Sequence, residues 1–343
     1  MQPSALPYAH GIPIITGRIK QQPEDFIVEE ILGFVPSGVG EHIFLKIEKQ
    51  GENTDFLARQ LAKFAGLPRQ AVSYAGLKDR HGRTIQWFGV HLPGKREIDW
   101  KPMETATLRV LDVTRNDRKL KIGALRGNRF QIALRDVKGE ANRVDERLSV
   151  LSKSGVPNYF GPQRFGRNGQ NLSSALAMFK GEFSPRDRHL RGIYLSAARS
   201  ELFNRVLAQR VREDSWDKAI AGDVFMFADS RSFFSDEITP DIERRIAELL
   251  IHSSGPLWGR GDLPSGDRIR GIEQAVADEM PELTAGLIDS GLEMERRPLR
   301  LPVSDLTWTW LDTMTLRLTF SLPAGCYATT VLRELLDFEG DLD

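Results

Sequence analysis

The chain has 343 residues, 41% hydrophobic and 27% charged, and its 47 lysines and arginines balance 47 aspartates and glutamates for a formal net charge of zero. That composition belongs to a folded globular protein and excludes disordered, collagen-like and coiled-coil classes, while the length calls for two domains or one domain carrying a large insertion. The overall charge does not advertise a polyanionic partner.

In chain order, Pro23 marks a short loop before an alternating strand around Phe26 and Val28. A second strand over 42–49 places Ile43, Leu45 and Ile47 on one face. Asn53 and Thr54 offer N-cap oxygens to a helix over 55–65, with Phe56, Leu57, Leu61 and Phe64 on its apolar side and Gly66 and Pro68 ending it. Strands are predicted at 84–91, 107–113, 119–123 and 128–134. A helix over 141–154 stops at Gly155, followed by the Pro-, Gly- and aromatic-dense stretch Val156 to Gly166. Helical periodicity dominates 170–295, as over 196–211 and 241–251, with Gly/Pro/Ser loops such as 255–267. Strand alternation returns at Leu316, Leu318 and Phe320, before a short helix over 329–336. A strand-rich first part, a helical middle and a strand-rich tail are the pattern of an insertion.

No run of about 18 apolar residues occurs, and Pro3, Pro7, His10 and Pro13 stand where a secretory leader needs an unbroken apolar stretch. Neither membrane insertion nor export is expected. The single cysteine, Cys326, cannot form an internal disulfide, which suits the cytoplasm. No oligomerisation signal is visible, so a monomer is expected. The six histidines form no His-x-x-x-His pair, Gly38-Val39-Gly40 lacks a third glycine, and no phosphate-loop motif occurs; neither metal nor nucleotide cofactor is expected.

The zero charge is a cancellation between regions. Residues 57–90 carry a balance of +5, residues 107–135 carry +6 and residues 161–200 carry +5, whereas 272–295 hold seven acids and no base.

The most informative window is YAGLKDRHGRTIQ, residues 74–86, where one carboxylate, Asp79, stands among Lys78, Arg80, His81 and Arg83. One reading is a solvated basic hairpin in which Asp79 pairs with its neighbours. The other is a carboxylate kept ionised by adjacent cations on a phosphate-attracting surface, able to serve as nucleophile or base.

This window resembles the signature of the tRNA pseudouridine synthase D (TruD) family. PEDFIVEE (23–30), GNRF (127–130), NYFGPQRFG (158–166) and LPAGCYATTVLRELL (322–336) match the same family in order, so the resemblance spans nearly the whole chain. It implies an α+β fold: a catalytic domain over 1–156 and 304–343 around a mixed, mainly antiparallel sheet, and a largely helical family-specific insertion over 157–303, the two facing each other across a basic cleft. It implies conversion of a tRNA uridine, uridine-13 of tRNA(Glu), to pseudouridine without a cofactor. Alternatives are the same chemistry on another RNA and a catalytically silent RNA-binding protein. By the resemblance Asp79 is the nucleophile and Phe26, Asn128 and Tyr327 contact the substrate nucleotide. Phe130 takes the place where most other pseudouridine synthases stack a tyrosine on the base. Tyr327 departs from the phenylalanine common in the family, keeping the ring and adding a hydroxyl. Lys20 is favoured as basic partner of Asp79, with Lys78 and Arg129 as rivals. Lys78, Arg80, Arg129, Arg164 and Arg167 are candidate RNA contacts, and NYFGPQRFG is either an aromatic interdomain hinge or a source of phosphate contacts. A base must leave the stack to be isomerised, so the enzyme needs rings that stack on it and an amide that reads its edge.

Overall fold

The computed structural model describes residues 6–78, 82–94 and 96–338. The first half runs β1 (Ile15–Arg18), β2 (Phe26–Leu32), β3 (His42–Gln50), α1 (Thr54–Ala65), β4 (Val72–Tyr74), β5 (Arg83–His91), β6 (Leu108–Asn116), β7 (Leu125–Lys138) and α2 (Ala141–Ser154). Asn53 caps α1, its Oδ1 accepting from the amides of Asp55 at 2.8 Å and Phe56 at 3.4 Å, and Gly66 ends the helix at φ +67°. The buried stripe of α1 is Leu57, Ala58, Leu61, Ala62 and Ala65, while the expected core residues Phe56 and Phe64 are exposed. The helix lies close enough to the sheet for alanines to fill the gap, which turns the two rings to the flanks. Gly155 ends α2 as expected.

Residues 119–123, expected as a strand, form a loop instead. One apolar anchor, Leu120, packs with Phe44, Ala75 and Trp87, while Ile122 faces solvent and Gly123 turns at φ +85°. A single buried residue is too little to hold a strand.

The middle of the chain contributes β8 (Val156–Pro157), α3 (Pro162–Phe165), α4 (Gln170–Phe179), α5 (Arg188–Arg212), β9 (Val224–Phe227), β10 (Phe233–Ser235), α6 (Pro240–Ala247), β11 (Ile251–Leu257), α7 (Asp267–Glu279), α8 (Pro281–Asp289), β12 (Glu295–Pro298) and β13 (Arg300–Leu301). The helices are accompanied by a four-stranded sheet in the order β10-β9-β11-β12, so strand structure reappears long before residue 316. β9 and β11 are buried on both faces, and such strands show no alternation. The tail is β14 (Ser304–Asp312), β15 (Thr315–Pro323), α9 (Ala328–Leu332) and β16 (Leu336–Phe338). The helix expected over 329–336 is shorter and gives way to β16.

The large sheet runs β14-β15-β7-β2-β5-β3-β6, with β1, β4 and β16 beside it. Its pairings are antiparallel except β2 with β5 and β1 with β16. The 14-residue β7 is its spine, bonding β15 along one side and β2 then β1 along the other.

The chain leaves and rejoins this part at one place, where β8 pairs with β13, Val156 opposite Leu301. Val156, Leu301 and Val303 pack with the large sheet, α2 and α9, whereas Tyr159, Phe160 and Leu299 pack with α4, α5, α7 and α8. The N-terminal segment straps the two together. Arg333 donates to the Leu6 and Pro7 carbonyls and covers the Tyr8 ring at 4.4 Å. The buried Glu334 carboxylate accepts from the amides of Ala9 (3.0 Å) and His10 (3.2 Å), and the His10 ring meets Trp216 edge-on. No helix among the described residues is long and apolar enough to cross a membrane.

Candidate active site

Alternation on β2 sends Phe26, Val28 and Glu30 to one face, and on β7 sends Asn128, Phe130 and Ile132 to one face. The register aligns Val28, Phe130 and Phe320 in one row and Glu30, Asn128 and Leu322 in the next. Phe130 therefore stacks on Phe320 with centroids 5.5 Å apart and meets Phe26 edge-on at 6.3 Å. Gly127 permits this register, because a Cβ there would lie 2.3 Å from the Leu322 carbonyl oxygen.

Beside the rings lies a buried polar floor. Lys78 Nζ sits 3.1 Å from Glu30 Oε1 and donates to Asn128 Oδ1 at 2.8 Å. Glu30 Oε2 accepts from the Trp87 amide at 2.8 Å. Burial pushes the Glu30 carboxyl above its ordinary pKa, and the Lys78 charge and the Trp87 N–H pull it back part of the way. Thr54 donates to Gln86 Oε1 at 3.0 Å and accepts from the Lys78 amide at 3.3 Å, and Gln86 donates to the Gly76 carbonyl at 2.6 Å. These bonds fix the chain on either side of residues 79–81; Asp79 and Arg80, two predicted site residues, lie outside the described residues. Gly82, where the described chain resumes, tolerates no side chain, since a Cβ would come within 2.7 Å of the Phe26 carbonyl oxygen.

Lys20 stands with φ +56°, and its Nζ lies 4.9 Å from the centre of the Phe26 ring. The turn between them is anchored by Asp25, which is buried and takes three bonds of 2.7–2.9 Å from Arg135. The acidic PED run thus serves placement. Because Lys78 donates to Asn128 Oδ1, the amide turns its Nδ2 donors elsewhere, and among the described residues these have no partner. Asn128 is poised to donate.

The remaining predicted residues divide. Tyr327 lies in the loop between β15 and α9, and Arg164, in α3, donates to its hydroxyl at 3.2 Å and to Ser196 Oγ at 2.9 Å while covering Phe160 at 5.3 Å. Arg167 is exposed. Arg129 is exposed on the opposite face of β7 from Asn128 and Phe130, so it does not join Lys78 on their face. Sequence reasoning passed over Glu30, Lys49, Thr54 and Gln86, all buried. A usable signal existed for two of them: Glu30 and Lys49 are the charged residues that close the apolar alternations Phe26–Val28 and Ile43–Leu45–Ile47.

The geometry is that of a cation and an amide held beside aromatic rings. The family model described as tRNA pseudouridine synthase D (TruD) matches residues 4–185 and 170–335. Proteins named tRNA pseudouridine synthase D are similar to the chain along nearly its whole length: that of Methylococcus capsulatus is 52% identical over 335 residues, covering 97% of this chain and 95% of that protein, and that of Nitrosococcus oceani is 48% identical over 334 residues, covering 96% and 93%. A crystal structure described as tRNA pseudouridine synthase D from Methanosarcina mazei superposes with a TM-score of 0.70 at 21% identity, covering 96% of this chain and 95% of that one. The fold is shared with it.

Proposed function

The chain belongs to the tRNA pseudouridine synthase D family, and we propose on that premise that it isomerises a tRNA uridine, uridine-13 of tRNA(Glu), to pseudouridine with Asp79 as the catalytic carboxylate. In the reaction the N1–C1′ bond breaks and a C5–C1′ bond forms, the C5 proton leaves and N1 takes one up. Nothing is gained or lost overall, so the chemistry asks for no redox partner or energy donor. Asp79 acts at the sugar, either by bonding to C1′ or by removing a sugar proton.

The observation that carries the reading is the Lys78 ammonium, one residue from Asp79, set between Glu30 and Asn128 beside the Phe26–Phe130 pair. Asn128, with its oxygen taken, donates to a uracil carbonyl. Phe26, Phe130 and Tyr327 supply the aromatic wall for a base out of its stack. Lys20, whose Nζ lies over the Phe26 ring, serves in this reading as the basic partner of Asp79. The separation of apolar cores at Val156/Tyr159 and Leu299/Leu301 supports a catalytic domain over 1–156 and 304–343 and an insertion over 157–303. In this reading the tRNA lies between them, touching Arg164 and Arg167, and the enzyme works in the cytoplasm.

The test is incubation with an unmodified tRNA(Glu) transcript and no added cofactor, followed by nucleoside analysis and mapping. Pseudouridine at position 13 alone is expected. Modification elsewhere would replace the proposed site, and formation only in other RNAs would replace the proposed substrate.

A further inference from the structure

Two exposed aliphatic side chains stand out on the segments that lead into the candidate active site. Leu77, two residues before Asp79, is 68% exposed, and Ile122, at the tip of the loop between β6 and β7, is 84% exposed. Their loops are bonded to each other, the Gly123 amide donating to the Ala75 carbonyl at 3.4 Å. The Ile122 loop is built to hold its shape. Leu120 is buried at its root, Asn116 Nδ2 donates to the Arg118 carbonyl at 2.8 Å, and the Ala124 amide closes the tip on the Lys121 carbonyl at 3.2 Å. A β-branched side chain on such a turn has few rotamers and keeps its direction.

Packing does not explain the display of isoleucine here, since solvent surrounds it. Its surroundings name the partner. Arg118, Lys119, Lys121 and Arg126, its neighbours along the chain, are all exposed, and the lone acid among them, Asp117, pairs with Arg118 at 3.8 Å. A stiff apolar tip inside a cationic collar matches a nucleic acid, whose phosphates meet the collar while the apolar tip enters between bases.

We propose that Ile122, backed by Leu77, is an RNA wedge: it fills the space left in the stack when the target uridine moves out, and the collar holds the flanking phosphates. The inference rests on the catalytic reading above, and its test separates the two. Asp79→Asn protein is bound to a tRNA transcript carrying 2-aminopurine next to the target uridine, so unstacking is read without catalysis. The fluorescence rises with the Asp79→Asn protein and fails to rise with Asp79→Asn/Ile122→Asp at saturating protein. In the catalytic background, Ile122→Asp lowers the single-turnover rate about tenfold or more on the intact tRNA, because unstacking a step is a substantial part of the barrier. It stays within about twofold of wild type on a transcript made abasic opposite the target and its neighbours, where stacking is already lost. Lys121→Ala weakens binding to both RNAs alike and lowers the salt slope by about one. Equal fluorescence in the two Asp79→Asn proteins, or an Ile122→Asp defect of the same size on both RNAs, overturns the wedge. A fluorescence rise that depends on Ile122 in a protein whose wild-type form makes no pseudouridine supports the wedge and overturns the catalytic reading alone.

Discussion

Lys78 and Glu30 hold opposite charges in a nearly closed space, and each is tolerated because of the other. Replacing Lys78 with methionine leaves the buried Glu30 carboxylate the Trp87 amide and the Lys49 charge but no direct ion-pair partner, and loss of one partner of such a pair costs about 3–5 kcal/mol. Burial already raises the Glu30 pKa, and removing Lys78 removes the largest effect opposing that rise. The contribution of Glu30 is therefore fully present below the unfolded value near 4.5, where it is protonated in both states, and is lost as pH rises through the folded value. Urea unfolding of Lys78→Met is expected to show a small deficit at pH 4 and the full deficit at pH 8, with Lys78→Met/Glu30→Gln recovering much of it. An equal deficit at both pH values would contradict the account. At this scale the sequence was partly legible. The motif windows contained Phe26, Asn128 and Phe130, which the sheet register brings to one face, and Lys78, whose side chain reaches that face from outside the strands. What the windows do not contain is partnership: that Lys78 turns toward Glu30 and Asn128, and that Arg129 faces away, follow from β2 and β7 pairing in one register.

Helix ends were legible because they are local chemistry. The Asn53 oxygen and the glycines at 66 and 155 act within a turn of where they stand. The sheet of the middle segment was not, because β9 and β11 are buried on both faces and alternate nothing. That sheet also holds a pH-sensitive element. His252 on β11 is buried, its Nδ1 accepts from Arg300 Nε at 3.3 Å, which places the proton on Nε2, and Nε2 has no partner among the described residues. Burial first, and then the Arg300 charge, lower its pKa from 6.5 to about 3. A depressed value means the unfolded chain takes up the proton first. The stability tied to neutral His252 is present above pH about 6.5 and is lost as pH falls toward 3, at up to about 1.4 kcal/mol per pH unit from this group. Denaturant midpoints of wild type and His252→Gln measured from pH 7 to 4 are expected to converge as the pH falls, the wild type having the steeper decline. Parallel curves would show that His252 is not the group responsible.

The whole molecule resolves the neutral charge. Four of the seven acids in 272–295 are paired, Glu273 with Arg296 in the interior and Glu279 with Arg205, Glu282 with Lys180 and Glu295 with Arg199 at the surface. Lys119, Lys121, Arg126 and Arg167 stay exposed and open to a polyanion. Charge summed over the chain hides this, since it weighs a paired and an open charge equally. The strap of residues 6–10 across Glu334, Arg333 and Trp216 was equally hidden, because its partners lie more than 200 residues away. Catalysis at Asp79 is the claim on which the rest depends, and single-turnover conversion of the tRNA(Glu) transcript by wild type and Asp79→Asn tests it most directly. The account predicts pseudouridine with the wild type and none above background with Asp79→Asn, which still binds the tRNA. Conversion by Asp79→Asn at a rate near that of the wild type would contradict it.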